Sequence, residues 1–197
     1  MRELIVAFCL TLALPALCAA SAAGQSSGTG RDQPRERPAW QTKALDAIPL
    51  LGHRNWILVV DSAYPLQSSP GIETIETNEN QLDVVRFVLG AVNRSIHVRP
   101  DIFMDAELPF VQDDDAPGAS AYRREIGDLL RDYGVQSLPH EKIISQIDES
   151  SKVFSVLVLK TNMAVPYTSV FMRLNCKYWS DDAEKRLRAK MSAASSK

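Results

Sequence analysis

No apolar run in these 197 residues reaches the roughly 20 consecutive residues that a membrane-spanning helix needs. An excess of one charge is also missing. Lysine and arginine number 22 against 24 aspartates and glutamates, a formal charge of −2. That balance excludes the clustered positive surplus of a nucleic-acid grip. Cysteine is scarce, with only Cys9, Cys18 and Cys176, so no even disulfide framework can form. There is no GxGxxG, no GxxxxGK with a following Ser or Thr and no HExxH. Those absences remove the dinucleotide, P-loop and zinc-protease readings. His53, His97 and His140 stand far apart and build no zinc site with one remaining cysteine. What is present is the balance of a folded protein, 45% hydrophobic and 23% charged, which excludes wholesale disorder.

The amino-terminal residues read as a leader. Met1-Arg2 precedes an apolar run of 14 residues from Leu4 to Leu17, and small residues follow from Cys18 to Ala23. A basic start, a short apolar core and Ala20-Ser21-Ala22 are the parts of a secretory signal peptide. Residues 1–22 are therefore expected to be removed and the chain exported, to a periplasm or the medium. Pro15 stands where a lipoprotein leader would carry leucine. Cys176 then remains as a single thiol in a compartment where disulfides form. No thiolate-stabilising motif surrounds it, so it reads as a buried side chain. Residues 23–38 hold Gly, Ser, Pro and charge and read as a flexible linker. Residues 192–197 read as a disordered tail. The folded part is residues 39–191, one domain.

Within it, apolar residues at helical spacing run from Trp40 to Leu51, with Pro49 ending or kinking the helix. Trp56–Val60 is a short β-branched run, a buried strand. Ile72–Thr77 is a short, partly exposed strand. Asn78–Val92 is the clearest helix: Leu82, Val85, Val88, Leu89 and Val92 share a face, with Asn78 or Asn80 as cap. Val98–Met104 is a strand candidate demoted by Pro100. A loop over Asp113–Gly118 leads to a helix capped by Ser120 and running to about Tyr133. Pro139–Glu149 is a helix with proline in its first turn. Val153–Leu159 and Val170–Leu174 are strands, and a last helix starts at Ser180. Alternating strands and helices predict an α/β fold, a central sheet flanked by helices.

Few residues stand out chemically. His53 precedes the first strand and Asp61 ends it, so eight extended residues separate them by roughly 26 Å. A turn after His53, or a neighbouring subunit, would have to bring them together. His140 opens a helix and Tyr167 precedes a strand. Each lies at an element edge, where sites are assembled. The Asp113–Asp115 run lacks the spaced oxygens of a calcium loop and reads as a solvated turn. Asn93-Arg94-Ser95 matches a glycosylation sequon, a match short enough to arise by chance.

Leu50-Leu51-Gly52-His53, the apolar strand, and Asp61-Ser62-Ala63-Tyr64-Pro65 together resemble the D-ribose pyranase and L-fucose mutarotase (RbsD/FucU) family. There a Leu-Gly-His or Met-Gly-His opening precedes a hydrophobic strand, an Asp-Ala pair and a proline. Ser62 is inserted here between Asp61 and Ala63. Leu138-Pro139-His140-Glu141 resembles the pyranase branch's histidine-glutamate at a helix start. Pro166-Tyr167-Thr168-Ser169-Val170 resembles the family's carboxy-terminal Pro-Tyr-Ala-Asn-Ile segment, with Ser169 in place of asparagine. The resemblance spans about Ala44 to Leu174.

It implies that His53 is the catalytic general acid and that Asp61, His140, Tyr167 and Ser169 contact a monosaccharide. It also implies a homo-oligomer, decameric in the family, with sites near subunit contacts. The implied reaction interconverts ring forms or anomers and needs no cofactor and no metal. A histidine titrating near neutrality suits it. The alternative on the same fold is a monosaccharide- or glycan-binding protein without turnover. Neither nucleic acid nor a membrane span of the mature chain enters these expectations.

Overall fold

The apolar pentapeptide Trp56–Val60 has every side chain buried, because both faces of the strand it forms are covered. The computed structural model describes residues 37–195, and Arg37 onward forms one compact unit. The expected leader, with Cys9 and Cys18, and the linker as far as Glu36 lie outside the described residues. In chain order the elements are α1 (Ala39–Ala47), β1 (Trp56–Val60), β2 (Ile72–Glu76), α2 (Gln81–Arg94), β3 (Val98–Asp105) and α3 (Ala119–Leu129). There follow β4 (Val135–Leu138), α4 (His140–Ser151), β5 (Val156–Lys160), β6 (Val170–Cys176) and α5 (Asp181–Ser195). Among the described residues no helix is long and apolar enough to cross a membrane.

The strands make one six-stranded sheet in the order β2-β5-β1-β6-β3-β4. β1 runs parallel to β5, β5 to β2 and β3 to β4, whereas β6 is antiparallel to both β1 and β3. The carboxyl ends of the other five strands therefore share one edge with the beginning of β6. In β1 the two-residue alternation of a strand divides the core. Ile57 and Val59 join the helix-covered layer of Ala44, Val85, Val88 and Ile126, while Trp56, Leu58 and Val60 pack with Ile143 and Ile147 of α4. Thus α1, α2 and α3 cover one face and α4 the other, the layered α/β arrangement expected.

Several local expectations are met with shifted ends, and others are corrected. Asn80 caps α2, its side chain accepting from the Leu82 amide at 2.9 Å. Pro100 sits inside β3 without breaking it, because β4 pairs only from Ile102 onward and Pro100 faces β6 alone, opposite Leu174. Ser120 does not cap α3. Gly118, at φ 94°, holds that position, and Asp113 Oδ1 accepts from the Ser120 amide at 3.0 Å. Hydrogen bonding from Ser120 also holds the Asp113 carboxyl below its usual range, so the acidic run is a capping turn. The stretch from Ser192 continues α5 to Ser195, as alanines there favour helix. The edge strand β4 has no counterpart in the expected elements.

Candidate functional site

Asp61 leaves β1 at the common edge. Its Oδ1 accepts from the Ala63 amide at 2.9 Å, turning the chain, and its Oδ2 accepts from Ser169 Oγ at 3.3 Å. The sheet register brings about the second contact: Val59 faces Val170 across antiparallel strands, so the residue before β6 meets the residues after β1. The connection from β5 to β6 crosses over the end of β1 to reach its far side. It is tied down there, with Thr161 Oγ1 and the Thr161 amide on the Val60 carbonyl at 2.8 and 2.9 Å, and the Ser62 amide on the Met163 carbonyl at 2.8 Å.

Tyr167 stands on this crossing at φ 59°, the left-handed region that L side chains other than Asn and Asp avoid. The strain is held from below. The carbonyl of buried Thr168 accepts from Tyr122 Oη at 2.6 Å and from Gln81 Nε2, and Thr168 Oγ1 donates to the Val165 carbonyl at 2.8 Å. Because only glycine enters this region freely, Tyr167→Gly is expected to be more stable than Tyr167→Ala by about 1 kcal/mol. Thermal melts of the two variants check this, and equal stabilities would show that the backbone relaxes.

His140 is the first residue of α4, placed by β4 beside the end of β3. Its amide donates to both Glu107 oxygens, at 3.0 and 3.1 Å, satisfying an orphan helix donor. Its Nδ1 lies 3.0 Å from Asp105 Oδ1. Its ring meets that of Tyr167 edge-on at 5.7 Å. Asp105 closes β3, is 2% exposed, and leaves Oδ2 buried without a hydrogen-bond partner. Burial pushes its carboxyl up to about 6, against the opposing hydrogen bond from His140. Burial likewise pushes the Tyr64 phenol up.

The folded state thus binds a proton at Asp105 more tightly than the unfolded chain, whose carboxyl titrates at 3.8. Between pH 4 and 6 folding takes up a proton, so this group's contribution to stability falls as pH rises and is constant above. The stability of the wild type relative to Asp105→Asn is expected to decline by about 2–3 kcal/mol between pH 4 and 7. Urea melts at the two pH values measure it, and a difference that does not change with pH would mean the carboxyl titrates normally.

Asp61, Tyr64, His140, Val165 and Tyr167 line one cavity of about 400 Å³, within the range of small-molecule sites. Its position, beyond the carboxyl ends of parallel strands, is where open α/β sheets bind ligands. Of the five sequence-predicted residues, Asp61, His140 and Tyr167 line the cavity and Ser169 touches Asp61. His53 does not join them: it is exposed, in the turn ahead of β1, at the opposite edge of the sheet. Asp105, Glu107 and Tyr64 were not singled out by sequence. Asp105 carries the signal that drew attention to Asp61, a carboxylate at the close of an apolar strand. Cys176 lies at the far end of β6, half-buried. Among the described residues no group of three His, Cys, Asp or Glu side chains is placed to hold a metal.

The α/β sheet thus carries at its carboxyl edge a mostly apolar cavity with His140, Asp61 and Tyr167 in its lining, and comparison with solved structures narrows the fold. No protein-family model matches the chain, and no curated sequence does. The structure of RbsD from Bacillus subtilis complexed with D-ribose superposes with a TM-score of 0.50 at 12% identity, covering 71% of this chain and 95% of that one. The fucose mutarotase from Streptococcus pneumoniae in complex with L-fucose gives 0.48 at 15% identity over 71% and 96%, and FucU from Bifidobacterium longum 0.46 at 12% over 67% and 92%. The chain has an RbsD-like fold.

Proposed function

We propose that this protein is an exported carbohydrate isomerase of the mutarotase or pyranase type, interconverting ring forms or anomers of a monosaccharide by general acid–base catalysis. The observation that carries this is the convergence of Asp61, His140 and Tyr167 on one cavity, with Ser169 hydrogen-bonded to Asp61, in a fold shared with a ribose-bound protein. Opening a cyclic sugar requires protonation of the ring oxygen and removal of the anomeric hydroxyl proton. Imidazole can do either near neutral pH. Asp61 and Tyr167 supply hydroxyl contacts, and the tyrosine ring offers an apolar face to the sugar's C–H groups. Export rests on the leader at residues 1–22.

His53, proposed as the acid, must come from a second chain. Leu50 and Ile96 are each 85% exposed at the His53 edge, and Leu66 and Phe110 are exposed near the cavity edge. Apolar side chains at both edges suit a head-to-tail contact, which makes a ring where its rotation closes. That contact would seat His53 of one subunit over Asp61 of the next. The second reading, a binding protein without turnover, is favoured by the same placement, since one chain holds the sugar contacts but not the acid. Exchange NMR on D-ribose, L-fucose and related sugars decides between them. Anomer or ring-form exchange faster than in buffer is the expected result. Saturable binding with buffer-like exchange would leave the binding protein.

A further inference from the structure

A carboxylate as deeply buried as Asp105 normally has both oxygens satisfied. Here one oxygen is spent on a histidine ring and the other has no partner. The ring it touches is the one titratable imidazole among the described residues that lines the cavity, and its Nε2 has no hydrogen-bond partner among those residues. The ring's placement is fixed twice, through the Glu107 contacts to the His140 amide and through Asp105 at Nδ1. The charged or titratable groups facing the pair are Glu107 from the exit of β3, Asp61 and Tyr64 from the exit of β1, and Tyr167 from the crossing. Glu141 follows His140 on α4, and the Lys160 ammonium lies on the Tyr64 carbonyl at 2.9 Å.

We propose that Asp105 is a positioning residue that holds His140 in its Nδ1–H form, leaving the Nε2 lone pair open to the cavity as the general base for the sugar's anomeric hydroxyl. An ionised carboxylate can only accept, so the nitrogen facing it must donate. In the neutral ring the other nitrogen then carries the lone pair, and the partner of the first decides which it is. The base role rests on the isomerase reading above. In that reaction Nε2 takes the proton from the anomeric oxygen as its C=O bond forms, and the C1–ring oxygen bond breaks. The ring oxygen leaves with a proton from His53 of the adjacent subunit. The imidazolium left on His140 is stabilised by Asp105, and reclosure returns both protons. No other reactant is needed. The proposal gives the cavity two proton-transfer stations and turns His140 from a hydroxyl contact into one of them.

The test uses full-length protein with ¹⁵N-labelled histidine, the His140 resonances being assigned by their loss in His140→Gln. Ring nitrogen shifts in the neutral form are expected to show Nδ1–H in the wild type. Asp105→Leu is expected to revert to Nε2–H, the form favoured in water. Asp105→Asn, a near-isosteric change, is expected to slow sugar exchange by about tenfold or more with unchanged sugar binding. A wild-type His140 protonated at Nε2 overturns the proposal, as does wild-type exchange in Asp105→Asn. If Asp105→Leu does not fold, the wild-type tautomer and the Asp105→Asn rate still decide. A wild type with Nδ1–H that accelerates exchange of no sugar overturns the isomerase reading and the base role with it, while confirming that Asp105 sets the tautomer.

Discussion

His53→Ala is expected to lower catalysed sugar exchange by about 10²–10⁴-fold, the span that one general acid or base supplies, with little change in stability. His53 is exposed in a turn and takes part in neither core layer, and such surface changes stay within about 0.5 kcal/mol. Asp61→Asn is expected to be impaired as well, through loss of the carboxylate proposed to contact the sugar. The two variants together probe the arrangement proposed here. An Asp61→Asn subunit supplies an intact His53, and a His53→Ala subunit an intact Asp61. In rings reassembled from equal amounts of both, roughly a quarter of the head-to-tail contacts join two intact halves. About that fraction of wild-type exchange should return on mixing. No recovery after verified subunit exchange would place His53 outside a shared site.

Gly71→Ala is expected to be among the most damaging single substitutions in the domain. A Cβ there would stand 2.3 Å from the Ser151 carbonyl oxygen and 2.8 Å from that of Phe154. Both are main-chain atoms, at the end of α4 and in the turn from it to β5, and cannot swing aside as a side chain would. Moving them disturbs the start of the β2–β5 ladder, where the Val156 amide donates to the Gly71 carbonyl at 2.8 Å. A loss of about 3–5 kcal/mol is expected, a large share of the roughly 5–15 kcal/mol that holds a domain together. Gly127→Ala is the control. Gly127 lies within α3 with nothing within 4 Å of the added methyl, and a helical alanine there should stabilise by about 0.5–1 kcal/mol. Thermal and urea melts read both. A Gly71→Ala melting point within two or three degrees of wild type would show that α4 yields.

The parts of this fold that could be read from the chain are those whose burial is written in periodicity. Trp56–Val60 is unbroken because both of its faces are covered, and α2 shows its one apolar stripe. β4 lacks such a mark: Val135-Gln136-Ser137-Leu138 is an edge strand with three of its four residues exposed, held by pairing to β3 and not by a core of its own. The site divides in the same way. Asp61, His140 and Tyr167 were found at element edges and by family resemblance. The Asp105–His140 contact joins residues 35 apart and depends on β4 lying beside β3, which no local pattern reports. The tension at Tyr167 was equally hidden, since a positive φ at a tyrosine leaves no trace in composition. The separation of His53 from Asp61 was legible, because it follows from strand length alone.

The crossing from β5 to β6 carries one more implication. It occupies residues 161–169, passes over the carboxyl end of β1, and is moored to β1 as soon as it sets out. It is therefore a roof of nearly fixed span, and its length, more than the sheet beneath it, sets how large a ligand the cavity admits. Insertions between Met163 and Pro166 would raise that ceiling while every strand register stayed as it is. A sheet with this one reversed strand can be refitted for bulkier ligands by editing a single loop.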